Sequence, residues 1–349
     1  MHMNASAAPS ASPQSPLDRF GRSLHDLRIS VTDRCNFRCT YCMPKEVFNS
    51  DYVFLERSRL LTFEEIERLA YIFAGLGVAK LRLTGGEPLL RRHLEKLVER
   101  LAQVPGIEDI CLTTNGSLLT GEVAARLAEA GLNRITISLD GLDNEVFQRL
   151  SDVQRPVDEV LAAIDHAAAA GLGPVKINMV VKRGANEDQI LPMAEHFRGT
   201  GHILRFIEYM DVGNANGWNL DQVMPAEEVL GMIDGQWPIE SADPNYPGEV
   251  ARRWRYRDGQ GEFGVIASVT QPFCGGCHRV RLSADGMLYT CLFASGGHDL
   301  KGLLRSGADD EALRRDLIRL WKDRGDRYSE LRTEETSQIK KVEMSYIGG

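Results

Sequence analysis

Cys35, Cys39 and Cys42 stand in a C-x3-C-x2-C arrangement directly after an apolar run. A loop of that spacing can wrap three thiolates around one corner of a cube-shaped [4Fe–4S] cluster. Every iron of such a cluster needs an outer ligand, so three cysteines leave one iron open to chelate a small molecule, as an open position does in a catalytic zinc site. Tyr41 lies between the last two ligands, where its ring can shield a cluster or pack on a ligand. A second group, Cys274, Cys277 and Cys291, starts in the run Phe-Cys-Gly-Gly-Cys-His-Arg-Val-Arg-Leu. Its glycines let the backbone turn closely around a metal. Spacing alone leaves zinc open for both groups, with a distant His or Cys completing the first and His278 the second. For the first group, position favours the iron–sulfur reading, because a loop at the carboxyl end of a barrel strand is where barrel enzymes keep their chemistry. Cys111 stands apart; its parity on a strand could point it inward, but a buried inert thiol is the expectation.

These groups need a scaffold, and the chain supplies an alternation of strand-like and helix-like runs from Leu27 to about Met210. The expected strands are Leu27–Thr32, Lys80–Thr84, Ile110–Thr114, Ile135–Asp140, Val175–Val181 and Ile203–Met210. The clearest helix is Thr62–Ala74, started by a Thr62/Glu65 capping box and stopped by Gly75 and Gly77. Each strand carries one apolar and one polar face: Leu27, Ile29 and Val31 oppose Arg28, Ser30 and Thr32, and Leu81 and Leu83 oppose Lys80, Arg82 and Thr84. A packed barrel centre would point branched apolar residues inward. If helices cover the outside, the apolar face must meet them and the lumen is wet and cationic. Unpaired cations buried there would cost on the order of several kcal/mol each, so an anionic ligand is expected. The alternative is an antiparallel sheet with one solvated face. Beyond Met210 the pattern loosens, with a short helix near Ala226–Ile233, strands near Trp254 and Phe263–Val269, a charged helix around Glu311–Lys322 and a boundary near Ser241.

Composition narrows the class. With 349 residues, 43% hydrophobic and 26% charged, the chain can bury a large core. Its net charge of -8 gives no general attraction to nucleic acid or anionic membranes, so an anion must be held by a local cation cluster. Residues 1–15 are Ala, Ser and Pro with few large apolar side chains and are expected to be a disordered tail. They lack the features of a secretory signal, and no apolar run is long enough to cross a bilayer, so a cytoplasmic location is expected, where thiols stay reduced.

The runs Ser30-Val31-Thr32-Asp33-Arg34-Cys35-Asn36-Phe37-Arg38-Cys39-Thr40-Tyr41-Cys42-Met43-Pro44 and Thr84-Gly85-Gly86-Glu87-Pro88 resemble the radical S-adenosylmethionine superfamily. With Cys274, Cys277, Cys291 and the terminal Gly348-Gly349, the resemblance is to the GTP 3′,8-cyclase family that begins molybdenum cofactor biosynthesis. It runs from about Leu17 to the end and implies an α/β fold: an incomplete (β/α)6 TIM-like barrel over residues 16–241, with residues 242–349 carrying a second cluster and covering the open side. Two [4Fe–4S] clusters are implied, one on Cys35, Cys39 and Cys42 and one on Cys274, Cys277 and Cys291. S-adenosyl-L-methionine is the implied cofactor, contacted by Tyr41, Gly86, Ser138 and Met210. GTP is the implied substrate, contacted by Arg28, Lys80, Arg82, Thr113, Lys176, Arg205, Arg279 and Arg281, most of which are the lumen-facing cations already deduced. Reductive cleavage of the cofactor to a 5′-deoxyadenosyl radical, removal of the C3′ hydrogen and closure onto guanine C8 would give 3′,8-cyclo-7,8-dihydro-GTP. Gly348-Gly349 resembles a tail that reaches into the active site, although physical grounds alone would make it disordered. An electron donor and a downstream cyclic pyranopterin monophosphate synthase are implied partners; a homodimer is compatible with the sequence, which does not set the oligomeric state. The rival expectations are a radical enzyme acting on a peptide or other small molecule, and a non-enzymatic zinc-binding protein.

Overall fold

A computed structural model describes residues 15–246, 248–333 and 339–348. Apart from Ser15, which exchanges hydrogen bonds with Leu24, the expected tail lies outside the described residues, as does Gly349.

The first six strands are β1 (Asp26–Ser30), β2 (Lys80–Thr84), β3 (Asp109–Thr114), β4 (Arg134–Ser138), β5 (Lys176–Val181) and β6 (Ile203–Glu208). They pair in chain order and all in parallel, which overturns the antiparallel alternative. Parallel neighbours require crossovers, made here by α1 (Phe63–Ala74), α2 (Leu94–Ala102), α3 (Gly121–Glu129), the pair α4 (Asn144–Ser151) and α5 (Asp158–Ala169), and α6 (Ile190–Phe197). Because the strand order never reverses and crossovers are right-handed, the helices all fall on one face. The apolar half of each strand is spent on that face: Leu27, Ile29, Leu81, Leu83, Ile137 and Ile177 are fully buried there in one core with Ile66, Leu69, Phe73 and Leu97 of the helices. The polar half is left for the lumen.

The Thr62/Glu65 capping box forms, with Glu65 N donating to Thr62 Oγ1 and Thr62 N to the Glu65 carboxylate. Gly75 stays right-handed and the left-handed residue is Gly77, two positions later. Several expected strand ends are shorter than the apolar runs because buried carboxylates capture the backbone. Glu208 accepts from Val269 N at 2.8 Å and Thr270 N at 2.9 Å, which ends β6 and stops the later strand at Ile266.

The rest of the chain adds α7 (Ala226–Gln236) and the strands β7 (Ile239–Ala242), β8 (Arg252–Tyr256), β9 (Glu262–Ile266), β10 (Arg279–Leu282), β11 (Met287–Tyr289) and β12 (His298–Asp299), followed by α8 (Leu300–Arg305) and α9 (Asp310–Asp323). These strands extend both edges of the sheet. β9 joins β6 in parallel and carries β8 and β7, while β10 joins β1 in parallel and carries β11 and β12. The resulting 12-stranded sheet is not closed into a barrel, and the connection from β9 to β10, which bears Cys274 and Cys277, must pass from one edge region to the other. Among the described residues, no helix is long and apolar enough to cross a membrane.

Candidate functional site

The strand register turns sequence alternation into layers. Asp26 stands abreast of Lys80 and Arg279, and Arg28 abreast of both Arg82 and Arg281. Farther round, Thr113 pairs with Thr136, Thr136 with Lys176, and Ser138 with Asn178, which adjoins Arg205. All of these but Thr136 line a cavity of about 330 Å³ on the lumen side of the sheet.

Seven cations line it (Arg28, Lys80, Arg82, Lys176, Arg205, Arg279 and Arg281) against two carboxylates, Asp26 and Glu249. Among the described residues only Lys80 of the seven meets a carboxylate, with Nζ 3.4 Å from Asp109 Oδ2. Arg82 donates to Thr113 Oγ1 at 3.0 Å and to Thr136 Oγ1 at 3.3 Å, while buried Arg205 Nε has no hydrogen-bond partner among the described residues. Burial, and then the charges of Arg281, Arg279 and Arg82, pull the Arg28 guanidinium well below its usual range. Burial and the adjoining cations likewise lower Lys176 to about 8, and Arg205 and Arg281 to about 9. Cations abreast in a poorly solvated space repel, so this wall is built for a multivalent anion.

The first cysteine loop follows β1. Cys42 N and Met43 N both donate to Cys39 O at 2.9 Å, while Arg38 donates to the carbonyls of Cys35, Phe37 and Phe48, each at 2.8 Å. These bonds turn Cys35, Cys39 and Cys42, all free thiols, toward the cavity. Burial lifts the Cys35 thiol to about 11, and burial reinforced by the neighbouring thiols raises Cys39 and Cys42 further. Among the described residues, no three His, Cys, Asp or Glu side chains converge tightly enough for a single metal ion. A polynuclear cluster is a different case, because each thiolate meets a different iron. The donor set therefore fits a cubane with one iron left for another ligand.

The loop after β2 locks against this one. Gly86 N donates to Thr32 O, and Glu87 N to Arg34 O, both at 2.8 Å. A Cβ on Gly86 would stand 2.2 Å from Arg34 O, and one on Gly85 2.4 Å from Thr32 O. Glycine is thus required here by the neighbouring backbone.

Cys274, Cys277 and Cys291 line the opposite part of the same cavity, beside Arg279 and Arg281. Burial raises the Cys291 thiol to about 12, whereas at Cys277 the Arg279 and Arg324 charges outweigh burial and bring it down to about 6. His278, the candidate fourth zinc ligand, does not line the cavity; its Nδ1 lies 3.1 Å from Ser23 O. Tyr41, Gly86, Ser138 and Met210 lie in the cavity lining with both cysteine groups. Gly348, disordered on physical grounds alone, is instead buried: its carbonyl accepts from Arg281, and a Cβ on it would strike Thr84. Cys111 is buried and held by Asp109, outside the cavity lining.

Several groups escaped sequence reasoning. Glu87, almost fully buried, accepts from Leu89 N, Thr114 Oγ1 and Asn115 N, and burial still pushes it up to about 7. Asp140 accepts from Tyr41 Oη at 2.6 Å and Val180 N at 2.8 Å, and burial lifts it to about 6. Buried Asp211, one residue after Met210, pairs with Lys341 at 2.8 Å and Arg332 at 2.9 Å, mooring the C-terminal segment beside the cavity. The Gly-Gly-Glu-Pro run flagged Glu87 only as part of a motif, alternation put Asp140 on the polar face of its expected strand without a role, and nothing local marked Asp211.

Comparison with known proteins adds independent findings. A family model for the Radical SAM superfamily matches residues 29–197, and one for Molybdenum Cofactor Synthesis C matches residues 202–330. The chain is 54% identical to the GTP 3′,8-cyclase of Acidothermus cellulolyticus, over 95% of this chain and 98% of that one. It is 52% identical to the enzyme of that name from Staphylococcus haemolyticus and 53% to that from Xanthomonas axonopodis pv. citri, in both cases over 95% of this chain and 98% of the relative. Among solved structures, Streptococcus suis SuiB bound to S-adenosylmethionine superposes with a TM-score of 0.62 at 16% identity, covering 86% of this chain and 66% of that one. That likeness concerns the fold.

Proposed function

The chain belongs to the GTP 3′,8-cyclase family, and from that premise we propose that it is a radical S-adenosylmethionine lyase that converts GTP into 3′,8-cyclo-7,8-dihydro-GTP, the first step of molybdenum cofactor synthesis. The observation that carries this reading is the single cavity in which two three-cysteine groups are joined by a wall of largely unpaired cations. A peptide would leave those cations without partners, whereas a triphosphate replaces their lost hydration.

Cys35, Cys39 and Cys42 would hold the cluster that, with S-adenosylmethionine, supplies the hydrogen-abstracting radical chemistry; Cys274, Cys277 and Cys291 would hold a second [4Fe–4S] cluster near the guanine base. The protein's own part is placement. Tyr41, held by Asp140, together with Gly86, Ser138 and Met210, borders the S-adenosylmethionine position. Arg28, Lys80, Arg82, Thr113, Lys176, Arg205, Arg279 and Arg281 bind and orient the nucleotide, so that its ribose faces the first cysteine group and its base the second. Gly348 closes the wall behind Arg281 and helps exclude water from the reacting carbon. An external electron donor reduces the enzyme, and the product passes to a cyclic pyranopterin monophosphate synthase. The reaction belongs in the cytoplasm, where the thiols stay reduced.

Anaerobic incubation of the reconstituted protein with GTP, S-adenosylmethionine and dithionite tests the proposal. Mass analysis should show a nucleotide isomeric with GTP together with 5′-deoxyadenosine. Deoxyadenosine formed while GTP is recovered unchanged would sink it.

A further inference from the structure

Behind the second cysteine group lies a set of charged side chains that the reaction as described does not use. Asp18, Arg22 and Arg324 are each at least nine-tenths buried. Asp18 Oδ2 accepts from Arg22 Nε at 2.6 Å and from Arg324 Nη1 at 3.1 Å, while its Oδ1 accepts from Phe20 N and Arg22 N, both at 2.9 Å. Each guanidinium then reaches past this carboxylate to the cysteine loops. Arg22 Nη1 donates to Cys274 O at 2.7 Å and to Asp326 O at 2.9 Å. Arg324 donates to Cys277 O at 2.8 Å and to Thr290 O, the carbonyl just before Cys291, at 3.2 Å. Two segments, the loop bearing Cys274 and Cys277 and the strand end before Cys291, are thus gripped through their backbone by two cations sharing one anion.

The surroundings leave these cations little freedom. Arg324 lies over the Trp321 ring and Arg22 over that of Phe20, and Trp321 Nε1 donates to Arg22 O at 3.0 Å. Arg324 Nε also lies 3.4 Å from Asp326 Oδ2. Among the described residues, buried Arg22 Nη2 has no hydrogen-bond partner. A burial this costly exceeds what backbone packing needs, since apolar side chains of the same volume would pack as well or better. Asp18 and Arg22 also precede the residues matched by the superfamily model, 29–197.

We infer that Asp18, Arg22 and Arg324 form a buried ion triad that positions the second cysteine group and sets the charge felt by the cluster held there. This rests on the two-cluster reading above. Hydrogen bonds and charges around a cluster set its reduction potential, and outer groups fix the geometry of its ligands. The three are positioning residues: none lines the cavity, and they act through the cysteines.

The test uses the full chain reconstituted anaerobically with iron and sulfide, titrated with dithionite through mediators and followed by electron paramagnetic resonance, so that the two clusters are read separately. Arg22→Gln removes a cation, so the second cluster should become harder to reduce and its midpoint potential should shift negative; Arg22→Lys should restore most of the shift. Asp18→Asn removes an anion from the same triad and should shift that potential the opposite way. The first cluster's potential should stay put throughout. Selective loss of second-cluster iron in Arg22→Gln, recovered in Arg22→Lys, also supports the positioning role. Unchanged potential and spectrum in Arg22→Gln at full iron content overturn the inference. So do shifts of the same sign in Arg22→Gln and Asp18→Asn, or loss of both clusters together, which would make the triad a general fold element. A native chain that takes up only one cluster would instead overturn the two-cluster reading itself.

Discussion

At the scale of single residues, the site divides into groups that carry charge to the ligands and groups that hold those in place. Arg279 is of the first kind. It lines the cavity over the Phe273 ring with no carboxylate at ion-pair distance among the described residues, so Arg279→Ala should weaken GTP binding by about 1.5–3 kcal/mol, the range for a hydrogen bond to a charged group. Equilibrium binding measures this, and S-adenosylmethionine cleavage without GTP should be largely retained. Cys39→Ser should abolish that cleavage, and deoxyadenosine still produced by the variant would refute the ligand role. Glu87 is of the second kind, and its buried carboxyl gives a pH signature. Burial holds its folded pKa at about 7, above the usual carboxylate value. The folded protein therefore binds the proton more tightly than the unfolded chain, and this contribution to stability is present at low pH and lost as pH rises from about 4.5 to about 7. The cost is on the order of 3 kcal/mol. Thermal melts of the metal-free protein across that window should fall less steeply for Glu87→Gln than for the native chain; parallel curves would assign the slope to other groups.

At the scale of elements, the two loops after β1 and β2 act as one unit, because Gly86 accepts no side chain against Arg34 O. Gly86→Ala should force them apart and deplete the first cluster, with iron per chain falling toward that of a single cubane; full iron loading would show that the loops can yield. The elements themselves were the most legible part of the sequence. Leu27/Arg28/Ile29 and Leu81/Arg82/Leu83 declare both a strand and its two environments, since only one face can be covered by helices. The cysteine spacings and the Thr62/Glu65 cap were equally local signals. Hidden were residues whose meaning comes from distant partners: Asp140 acquires Tyr41 from 99 positions away, and Arg22 acquires Cys274 from 252. Strand ends failed for the same reason, because Glu208 captures Val269 N and Thr270 N from another element. Gly348 looked unstructured because composition cannot register the Arg281 side chain waiting for its carbonyl.

At the scale of the molecule, the C-terminal part of the chain flanks both edges of the parallel sheet and then returns to the cavity, where Met344 and Ser345 are part of the lining. Lys341, buried against Asp211, and Asn214, bonded to the Lys341 backbone and to Glu343, moor that return. Ending the chain before Ile339 should remove the mooring and open the cavity. Cluster absorbance should then bleach faster in air, and deoxyadenosine should form in excess over cyclised nucleotide; bleaching at the native rate would contradict a shielding role. The two-faced wall has a last consequence, for how the gene tolerates change. Side chains alternate along a strand, so inserting one residue within β1 or β2 would turn Arg28 or Arg82 into the leucine layer under the helices and push leucines into the cavity. No neighbouring strand could absorb the error, since each is pinned to the next in parallel register. Insertions should therefore survive in the outer loops and be almost absent from the six inner strands, a scar pattern that a library of random in-frame insertions would reveal.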